Sequence, residues 1–571
     1  MTSSAAFRPP TALTAPGGPF ATEERTVGGR TLPVYVNGPQ VLRDLLESTR
    51  AHGDRVFLRS ADRAYTYAEH YAAAAALACR LLAAEDTGGY GLARGDRVVI
   101  AMRNHAEWQV AFWAVQLAGL IAVPLNAWWS TEEMTLALEH CTPGALIVDG
   151  ERVERVQPWR LAQPEATRAR LLTVRHPAAE DARSERFEDL PLPAAGSEAP
   201  AVDIAPTDIA TILYTSGTTG APKGVAATQL NYCAAAMNPR WFAVCSALER
   251  GASLGDIKPA TSLMTFPFFH VAAFAVVLAT MLGGGSLVLM HHWDAGAALE
   301  LIDEHRVTTY VGVPATALEL LAAAEASGAR PASLELVNTG GAAAPADLVA
   351  RIGRVFEGRV ESRNGYGLTE TSGAVVVNYG ARYREHPDSI GRPSPATRVR
   401  IARADGTTAA PGEVGELQLS GQGIFQGYWD NPGATADAFE DGWFRTGDLA
   451  FLRDGEVYVV DRIKDMVIRG GENVYCGEVE SVLFDHPAVA DAAVLGVPHP
   501  VLGEEVAALV QLRPGATASA DELRAHVRAR LAAFKVPVHI LFRTEPLPRN
   551  ATGKIVKRSL RAEAAAAVAA V

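Results

Sequence analysis

A short segment dense in hydroxyls and glycines carries the strongest chemical signal in this sequence. Residues 214–225 read YTSGTTGAPKGV and follow an apolar stretch, residues 209–213, that predicts a buried strand. Glycine lets the backbone approach a ligand closely, and hydroxyls, free amides and one lysine can then bind phosphate oxygens. The segment is not a Walker A loop, because its lysine follows a proline and precedes a glycine. A Ser/Thr/Gly-rich surface turn is the alternative. The residues assigned to phosphate binding are Thr215, Ser216, Gly217, Thr218, Thr219, Gly220 and Lys223.

Four further segments follow this loop along the chain. They read NGYGLTE at residues 364–370, WFRTGD at 443–448, DRIKDMVIRGGENV at 461–474 and PRNATGKI at 548–555. With the loop they resemble, over residues 42–560, the superfamily that contains acyl-CoA synthetases, peptide-synthetase adenylation domains and firefly luciferase. The resemblance is closest to CoA ligases of fatty or aromatic acids. One such segment could arise by chance, whereas five in the family's order identify the chain as a member.

The resemblance implies a chemical role for each segment. Splitting ATP between its α- and β-phosphates brings a carboxylate against a phosphate, so cations and hydrogen-bond donors must face the reacting phosphorus. Glu370 is expected to hold Mg²⁺, and Thr369 to donate to the α-phosphate. Asp448 and Arg462 are assigned to the ribose, and Tyr366 to stacking on adenine. The remaining assignments are Asn364 in the adenine-and-magnesium segment, Gly341 and Ala342 in a wall of small residues, and Lys554 as the catalytic lysine.

A hinge is expected at residues 462–465, centred on Lys464. In the family that the chain resembles, the C-terminal domain swings about this position between two half-reactions. The loop that contains Gly470 and Gly471 then replaces the lysine loop at the active site, and adjacent glycines suit a loop that passes close to a ligand. Cys476 departs from the pattern, because related synthetases usually carry proline there. It is not interpreted as a nucleophile, since nothing nearby in the sequence would lower its pKa.

The acid pocket is expected around residues 266–274, FPFFHVAAF. His270 is interpreted as a substrate-facing or gating residue with a part in catalysis, and a core histidine is the alternative. Relatives that activate amino acids place an aspartate in this segment to pair with the substrate ammonium. None is present here, and a buried ammonium without a carboxylate is costly, which disfavours an α-amino acid. A fatty or an aromatic acid fits the apolar flanking candidates Trp241, Phe242, Phe269, Val311 and Val313.

These assignments predict an AMP-forming acid–CoA ligase that uses ATP, Mg²⁺ and coenzyme A. The enzyme would form an acyl-AMP with release of pyrophosphate and then pass the acyl group to the CoA thiol. Two alternatives keep the adenylation step and change the rest: a free carrier protein as acceptor, or nitrite activated for transfer to an aromatic amine. A non-catalytic nucleotide-binding protein on the same fold would show damage at Glu370, Lys554 or the phosphate loop, and these are intact.

Strands and helices must alternate to position these segments. Residues 96–149 switch between apolar strand and helix, with a capping box at Ser130 and Glu133, and residues 286–326 repeat the alternation. We therefore predict an α/β protein with two parallel-sheet lobes in a large N-terminal domain. Short alternating segments over residues 399–420 predict an antiparallel β subdomain, and the mixed pattern after residue 461 predicts a small, mobile α+β domain. Residues 162–208, rich in proline, alanine and charge, are interpreted as surface connection.

Length and composition bound the remaining expectations. For 571 residues we predict a flexible arm over residues 1–34, an adenylation domain over 35–461, the hinge, and a C-terminal lid domain over 466–571. The formal net charge of −12 disfavours nucleic acid as a partner, and no apolar run is long enough for a membrane span. Five scattered cysteines without a CxxC pair indicate free thiols. We expect a cytoplasmic enzyme with a small-molecule carboxylic acid as substrate and, from the resemblance alone, a homodimer.

Overall fold

Strand and helix alternate through most of the chain, as the apolar periodicity predicts. A computed structural model describes residues 9–178, 181–191, 197–215, 222–342, 344–345, 347–549 and 555–569. Within these ranges the strands form one two-stranded hairpin and four larger sheets. The predicted class, α/β with an antiparallel subdomain and a small C-terminal α+β unit, is confirmed. No helix in the described ranges is both long and apolar enough to cross a bilayer.

The first large sheet has eight strands and carries the phosphate loop at one of its strand ends. Six neighbouring strands run parallel, and two antiparallel strands complete the side next to the loop. In spatial order the strands are Gly427–Tyr428, Lys223–Thr228, Ile209–Thr215, Ile121–Pro124, Arg97–Ala101, Ala145–Asp149, Arg170–Val174 and Ser184–Arg186.

Part of residues 162–208 belongs to this sheet, so the interpretation as surface connection is wrong for two strands. Arg170–Val174 and Ser184–Arg186 extend the sheet in parallel. Leu171, Leu172 and Val174 are fully buried, which supplies the driving force for the added strand. The apolar run RLLTV is short, and the surrounding proline and charge concealed it in the sequence.

The second large sheet has nine strands, and the predicted adenine segment begins within the third of them. Its six central strands are parallel, and antiparallel pairs close both sides. In spatial order the strands are Arg392–Pro393, Gly373–Tyr379, Glu361–Leu368, Leu336–Gly340, Thr309–Gly312, Thr261–Met264, Ser286–Leu289, Val56–Arg59 and Ala64–Thr66.

Helices cover the sheets, and one of them lies in the core. Every residue of Ala106–Leu117 is buried, including the polar side chains of Glu107, Gln109 and Gln116. The capping box is present: the Glu133 amide donates to Ser130 Oγ at 3.3 Å, and the Ser130 amide donates to Glu133 at 2.9 Å. The α-helices are Leu42–Ser48, Tyr67–Leu82, Ala106–Leu117, Thr131–Cys141, Gly150–Leu161, Gln229–Glu249, Val271–Gly283, Ala295–Glu304, Pro314–Ser327, Leu348–Val355, Gly380–Glu385, Pro432–Ala438, Cys476–Phe484, Ala520–Arg528 and Lys557–Ala569.

Two five-stranded sheets complete the fold on either side of the predicted hinge. Before the hinge, antiparallel pairing joins Thr397–Ala402, Gly415–Gly421, Trp443–Arg453, Phe439–Glu440 and Glu456–Arg462. After it, a mixed sheet joins Glu472–Val474, Val467–Arg469, Gly503–Leu512, Val489–His499 and His539–Arg543. At the hinge the Arg462 carbonyl accepts hydrogen bonds from the amides of Asp465 and Met466, both at 3.0 Å. The boundaries 35–461, 462–465 and 466–571 stay predictions.

The described part of the N-terminal segment contains regular secondary structure, so the prediction of a flexible arm over residues 1–34 is wrong for that part. Thr22–Val27 and Arg30–Tyr35 form an antiparallel hairpin. Phe20 is buried and packs edge-to-face on Trp241 at a centroid distance of 5.3 Å. The Tyr35 hydroxyl donates to Asn238 at 2.9 Å. The proline- and glycine-rich composition was misleading because this packing partner lies some 200 residues away along the chain.

Candidate active site

The phosphate loop connects two antiparallel strands of the first sheet. Thr215 and Lys223 are paired in register, and the Thr215 hydroxyl donates to the Lys223 carbonyl at 3.5 Å. Both side chains are partly buried at the end of the sheet. Ser216, Gly217, Thr218, Thr219 and Gly220 lie outside the described residues. The strand pairing therefore brings the first and last residues of the loop together at one place.

Lys223 and Glu370 both contact Tyr428, a residue that the sequence analysis did not single out. Lys223 Nζ lies 5.0 Å from the ring centroid of Tyr428, and the Tyr428 hydroxyl donates to Glu370 Oε1 at 2.9 Å. Tyr428 is placed by its pairing with Val225, and the Glu370 carbonyl accepts from the Phe425 amide at 2.9 Å. The lysine and the carboxylate of the predicted phosphate site therefore contact the same tyrosine.

The environment of the Glu370 carboxylate suits a ligand of a cation. Desolvation raises the pKa of its partly buried carboxyl, and the nearby charges of Arg462 and Lys223 offset this only in part. Among the described residues no group of three or more His, Cys, Asp or Glu side chains could hold a metal ion. One carboxylate combined with phosphate oxygens is the usual way in which proteins bind Mg²⁺, so Glu370 fits that ion.

A second carboxylate is held between two neighbours. Asp448 is buried, Tyr366 donates to its Oδ2 at 2.5 Å, and Arg462 Nε lies 3.2 Å from its Oδ1. Asp448 and Arg462 are paired residues of the adjacent antiparallel strands Trp443–Arg453 and Glu456–Arg462. Desolvation, followed by the Asp448 charge, raises the pKa of the Tyr366 hydroxyl well above its usual value, so it remains a donor.

The adenine segment presents one unpaired acceptor and a close approach of backbones. Asn364 is buried, and its Oδ1 has no hydrogen-bond partner among the described residues. Asn364 and Tyr366 are two residues apart on one strand and so project from the same face of the sheet. A Cβ at Gly340 would lie 2.8 Å from the Gly365 carbonyl oxygen. Gly341 follows with a φ of +79°, and Ala342 and Thr369 come after the carboxyl ends of the adjacent parallel strands Leu336–Gly340 and Glu361–Leu368.

His270 begins a helix, which gives it a structural task. It is the N-cap of Val271–Gly283, and its Nδ1 accepts from the Ala272 amide at 3.3 Å. Burial lowers the pKa of the imidazole to about 4, so the ring is neutral at pH 7. Its ring stacks on Phe266 at a centroid distance of 6.2 Å. His270 is therefore uncharged in an apolar environment. It is not suited to bind a second negative charge on the substrate.

The flanking pocket candidates fall into two groups. Val311 packs within the large central core, and Val313 lies against it. Phe269 packs edge-to-face on the exposed Trp128 at 5.2 Å. Trp241 and Phe242 belong to a separate cluster with the N-terminal segment and Val377. The structure therefore does not bring Trp241 and Phe242 together with Phe269.

The predicted hinge segment begins beside the carboxylate of Asp448. A cleft lined by Arg445, Gly447, Arg462 and the exposed Lys464 opens there. Gly470 and Gly471 form the two-residue turn of a hairpin between Val467–Arg469 and Glu472–Val474, with φ of +59° and +91°. Two consecutive positive φ values favour glycine at both positions. Lys554 lies outside the described residues.

Comparison with known proteins places this site in a family. The model for AMP-binding enzymes matches residues 45–429, and the model for the AMP-binding enzyme C-terminal domain matches residues 478–554. The chain belongs to the AMP-binding enzyme family. The identification made from five ordered segments is thereby confirmed.

Relatives of this AMP-binding enzyme include acid–CoA ligases. A feruloyl-CoA synthase of an Amycolatopsis species is 37% identical over 506 residues, which is 88% of this chain and 95% of that protein. The long-chain-fatty-acid–CoA ligase FadD13 of Mycobacterium tuberculosis is 33% identical over 489 residues, 84% of this chain and 90% of that protein. These matches confirm the prediction of an AMP-forming acid–CoA ligase.

Solved structures share the whole architecture. An anthranilate CoA ligase in complex with anthranoyl-AMP superposes with a TM-score of 0.81 at 26% identity and covers 93% of this chain and 98% of its own. The amide bond synthetase McbA of Marinactinospora thermotolerans superposes with a TM-score of 0.79 at 27% identity, over 92% of this chain and 99% of its own. The AMP-binding fold thus extends over nearly all of the chain.

The structure also reveals a cationic and aromatic cluster at the carboxyl ends of parallel strands from both large sheets. The Arg103 guanidinium lies over the exposed Trp128 ring at 4.8 Å, and its Nη1 is 3.5 Å from His292 Nδ1. The ring of His291 lies 4.4 Å from that of His292 and 5.1 Å from that of His105. We name these five residues the cationic cluster. Sequence reasoning missed it because the cluster joins loops about 190 residues apart.

Proposed function

We propose that this enzyme activates an apolar carboxylic acid as an acyl-AMP and transfers the acyl group to coenzyme A. In the first step an oxygen of the acid attacks the α-phosphorus of ATP, and pyrophosphate leaves. In the second step the sulfur of CoA attacks the acyl carbon, and AMP leaves. The observation that carries the proposal is the convergence of Lys223, Tyr428 and Glu370, with Asp448 and Arg462 on the neighbouring strands.

Glu370 and Lys223 would act on the phosphates. Mg²⁺ bound by Glu370 would neutralise charge on the phosphate oxygens, and Lys223 would supply a second cation. The Tyr428 hydroxyl holds Glu370 Oε1, which leaves Oε2 for the metal. Thr369, next to Glu370 in the same turn, is the proposed donor to the α-phosphate, and Lys554 is the proposed bridge between the acid and that phosphate.

The strand that contains Tyr366 would bind the nucleoside part of ATP. Asp448 offers two acceptor oxygens to the ribose hydroxyls once Tyr366 and Arg462 adjust. The unpaired Oδ1 of Asn364 is suited to accept from the exocyclic amine of adenine, because a buried acceptor without a partner is costly. Gly341 and Ala342, at the carboxyl end of the neighbouring strand, leave room for a flat base.

The acid is proposed to be uncharged apart from its carboxylate. His270 is neutral and uses Nδ1 to cap its own helix, so it offers no charge to a second ionic group. Val311 and Val313 are apolar, and the segment of residues 266–274 contains no aspartate. The relatives named for ferulate and for long-chain fatty acids support an aromatic or a fatty acid.

Coenzyme A is proposed as the acceptor because the cationic cluster suits its phosphates. Desolvation, and then the charge of Arg152, lowers the pKa of Arg103, so the negative charge of a phosphate would stabilise the charged guanidinium. Trp128 supplies an exposed ring on which a purine can stack. Ligands of open α/β sheets bind beyond the carboxyl ends of the strands, where this cluster lies.

A screen of acids with and without acceptors tests the proposal. Purified enzyme is incubated with ATP, Mg²⁺ and single acids, and pyrophosphate, AMP and ADP are quantified. We expect pyrophosphate and AMP with cinnamic or fatty acids, and CoA thioesters when CoA is added. ADP as the main product, or an amino acid as the best substrate, would contradict the proposal.

The acceptor is tested separately. CoA, dephospho-CoA and pantetheine are compared on wild-type enzyme and on Arg103→Gln, with synthetic acyl-AMP supplied. We expect Arg103→Gln to raise the KM for CoA about tenfold and to leave the KM for pantetheine unchanged. The match to an amide bond synthetase makes an amine the second candidate acceptor. Amide formation that outpaces thioester formation would select it. A homodimer is proposed from the resemblance alone, and light scattering in solution tests it.

A further inference from the structure

The carboxylate of Asp461 spans the hinge. Asp461 is the residue before Arg462, and its Oδ1 accepts from the Arg462 amide at 2.7 Å. Its Oδ2 accepts from the Cys476 amide, and the Gly477 amide lies 3.4 Å away. Cys476 and Gly477 open the helix Cys476–Phe484, which lies after the hinge. One carboxylate therefore connects the ribose-binding strand with the first helix of the C-terminal region.

This carboxylate supplies a cap that the helix lacks locally. The N-cap residue Tyr475 makes no side-chain capping hydrogen bond. The first amides of a helix need acceptors, and an anion at this end is further stabilised by the helix dipole. Asp461 provides both from the other side of the hinge, so the helix N-terminus and the strand Glu456–Arg462 are joined only while the two regions keep the described orientation.

Cys476 adds a second contact to the hinge. Its thiol is fully buried and donates to the Asp465 carbonyl with an Sγ–O distance of 3.0 Å. Its amide and its thiol thus bind residues at the two ends of the segment 461–465. A rotation within that segment changes the separation between those two partners, so the amide and thiol bonds would not both survive it.

A buried lysine reinforces the same contact. Lys557 Nζ lies 2.7 Å from Glu480 Oε1, and both side chains are largely buried. Burial raises the pKa of Asp461, and the positive charge of Lys557 opposes that rise. Two helices of the C-terminal region therefore act on Asp461: Cys476–Phe484 through its first amides, and Lys557–Ala569 through the charge of Lys557.

We propose that Asp461 and Cys476 are a positioning pair that holds the C-terminal region in the described orientation for one half-reaction and must separate for the other. This inference rests on the proposed function, because it requires two half-reactions. It assigns a task to the Cys476 amide that a residue without an N–H could not perform. Weakening the pair should favour one half-reaction at the expense of the other.

A graded set of substitutions tests the pair. Cys476→Ser keeps both donors, Cys476→Ala keeps only the amide, and Cys476→Pro removes both. Proline suits this position, because it is the first residue of the helix and Tyr475 before it is extended. Ala520→Pro is the matched control, since it places proline at the first position of another C-terminal helix, which Ser519 caps locally.

Adenylation is measured as pyrophosphate release, and thioester formation is measured separately from synthetic acyl-AMP and CoA. We expect the ratio of the two rates to change about tenfold in Cys476→Pro, with the rates moving in opposite directions, less in Cys476→Ala and little in Cys476→Ser. Asp461→Asn should shift the ratio in the direction of Cys476→Pro. Ala520→Pro should leave it unchanged.

The outcomes separate this inference from the proposed function. If wild-type enzyme performs neither half-reaction, the proposed function fails. If wild-type enzyme performs both and Cys476→Pro slows both equally, or alters neither, the positioning role is wrong and the proposed function stands.

Discussion

The Tyr366 hydroxyl donates to Asp448 Oδ2 at 2.5 Å, while Arg462 Nε lies 3.2 Å from Oδ1 of the same carboxylate. Both oxygens proposed for the ribose are thus already engaged, one by a neutral donor and one by a cation. The carboxylate is held in a fixed direction before nucleotide arrives. ATP binding would then replace the bonds from Tyr366 and Arg462 with bonds from the ribose hydroxyls. Such an exchange favours selectivity among nucleotides more than high affinity for ATP.

This geometry predicts unequal effects of two substitutions on nucleotide selection. Asp448→Asn should raise the KM for ATP about tenfold or more and reduce the preference for ATP over deoxy-ATP, because a charged acceptor is lost. Tyr366→Phe keeps the ring and the carboxylate, so it should change the KM for ATP less than about fivefold. Steady-state kinetics with ATP, 2′-deoxy-ATP and 3′-deoxy-ATP measure both. Equal effects of the two substitutions would contradict the assignment of Asp448 to the ribose.

Glu370→Gln should lower turnover and raise the stability of the ligand-free protein. The amide still accepts from Tyr428 but cannot bind Mg²⁺ well, so turnover should fall by about 10²–10³. Burial raises the pKa of Glu370, so its contribution to stability is present at low pH and is lost as pH rises through that pKa. Replacing the ionised group should therefore raise the unfolding midpoint of the ligand-free protein at pH 7.5. Calorimetry of both proteins without nucleotide checks this, and a lower midpoint would contradict it.

The same carboxyl predicts a pH dependence of metal use. Protons compete with Mg²⁺ for Glu370, and desolvation moves this competition to a higher pH than for an ordinary carboxyl. The apparent Mg²⁺ constant should therefore rise as pH falls, and saturating Mg²⁺ should shift the acidic limb of turnover to lower pH. Pyrophosphate release over a grid of pH and Mg²⁺ concentration measures this. An acidic limb that does not respond to Mg²⁺ would assign the titration to another group.

Tyr428 should contribute through both its hydroxyl and its ring. Tyr428→Phe removes the donor to Glu370 but keeps the ring beside Lys223, so we expect a loss of turnover of about fivefold to tenfold. Tyr428→Leu removes the ring as well and should cost more. Tyr458→Phe, on the strand Glu456–Arg462, is the matched control. Turnover at saturating ATP and Mg²⁺ gives the comparison, and a larger loss for Tyr428→Phe than for Tyr428→Leu would contradict the double role.

Sequence reasoning could propose most of the candidate nucleotide site because the proposed groups lie within contiguous segments of recognisable composition. Thr215 and Lys223 belong to one loop, and Glu370 and Asp448 each end a short motif. Tyr428 was not identified, because its partner Glu370 lies 58 residues away along the chain and the sequence around Tyr428 contains no recognisable motif. Long-range pairing of this kind is visible only in the folded chain.

The same limit explains the errors at the N-terminus and in residues 162–208. Phe20 and the strand Arg170–Val174 are ordered by partners elsewhere in the chain, whereas local composition there favours loops. The strands and helices predicted for residues 96–149 are confirmed, because apolar periodicity and the Ser130 capping box act locally. The fold class followed from local patterns, and the N-terminal hairpin did not.

The proposed catalytic role of Lys554 predicts a defect confined to the first step. Lys554→Ala removes a cation that should act on the charge developing during adenylation, so pyrophosphate release should fall by about 10²–10³. Acyl-AMP supplied from outside bypasses that step, and thioester formation from it should remain within about threefold of wild type. Lys535→Ala, in the same region and paired with Glu478 at 2.6 Å, is the control and should leave both steps intact. Equal loss of both half-reactions in a folded Lys554→Ala protein would refute a lysine that serves adenylation alone.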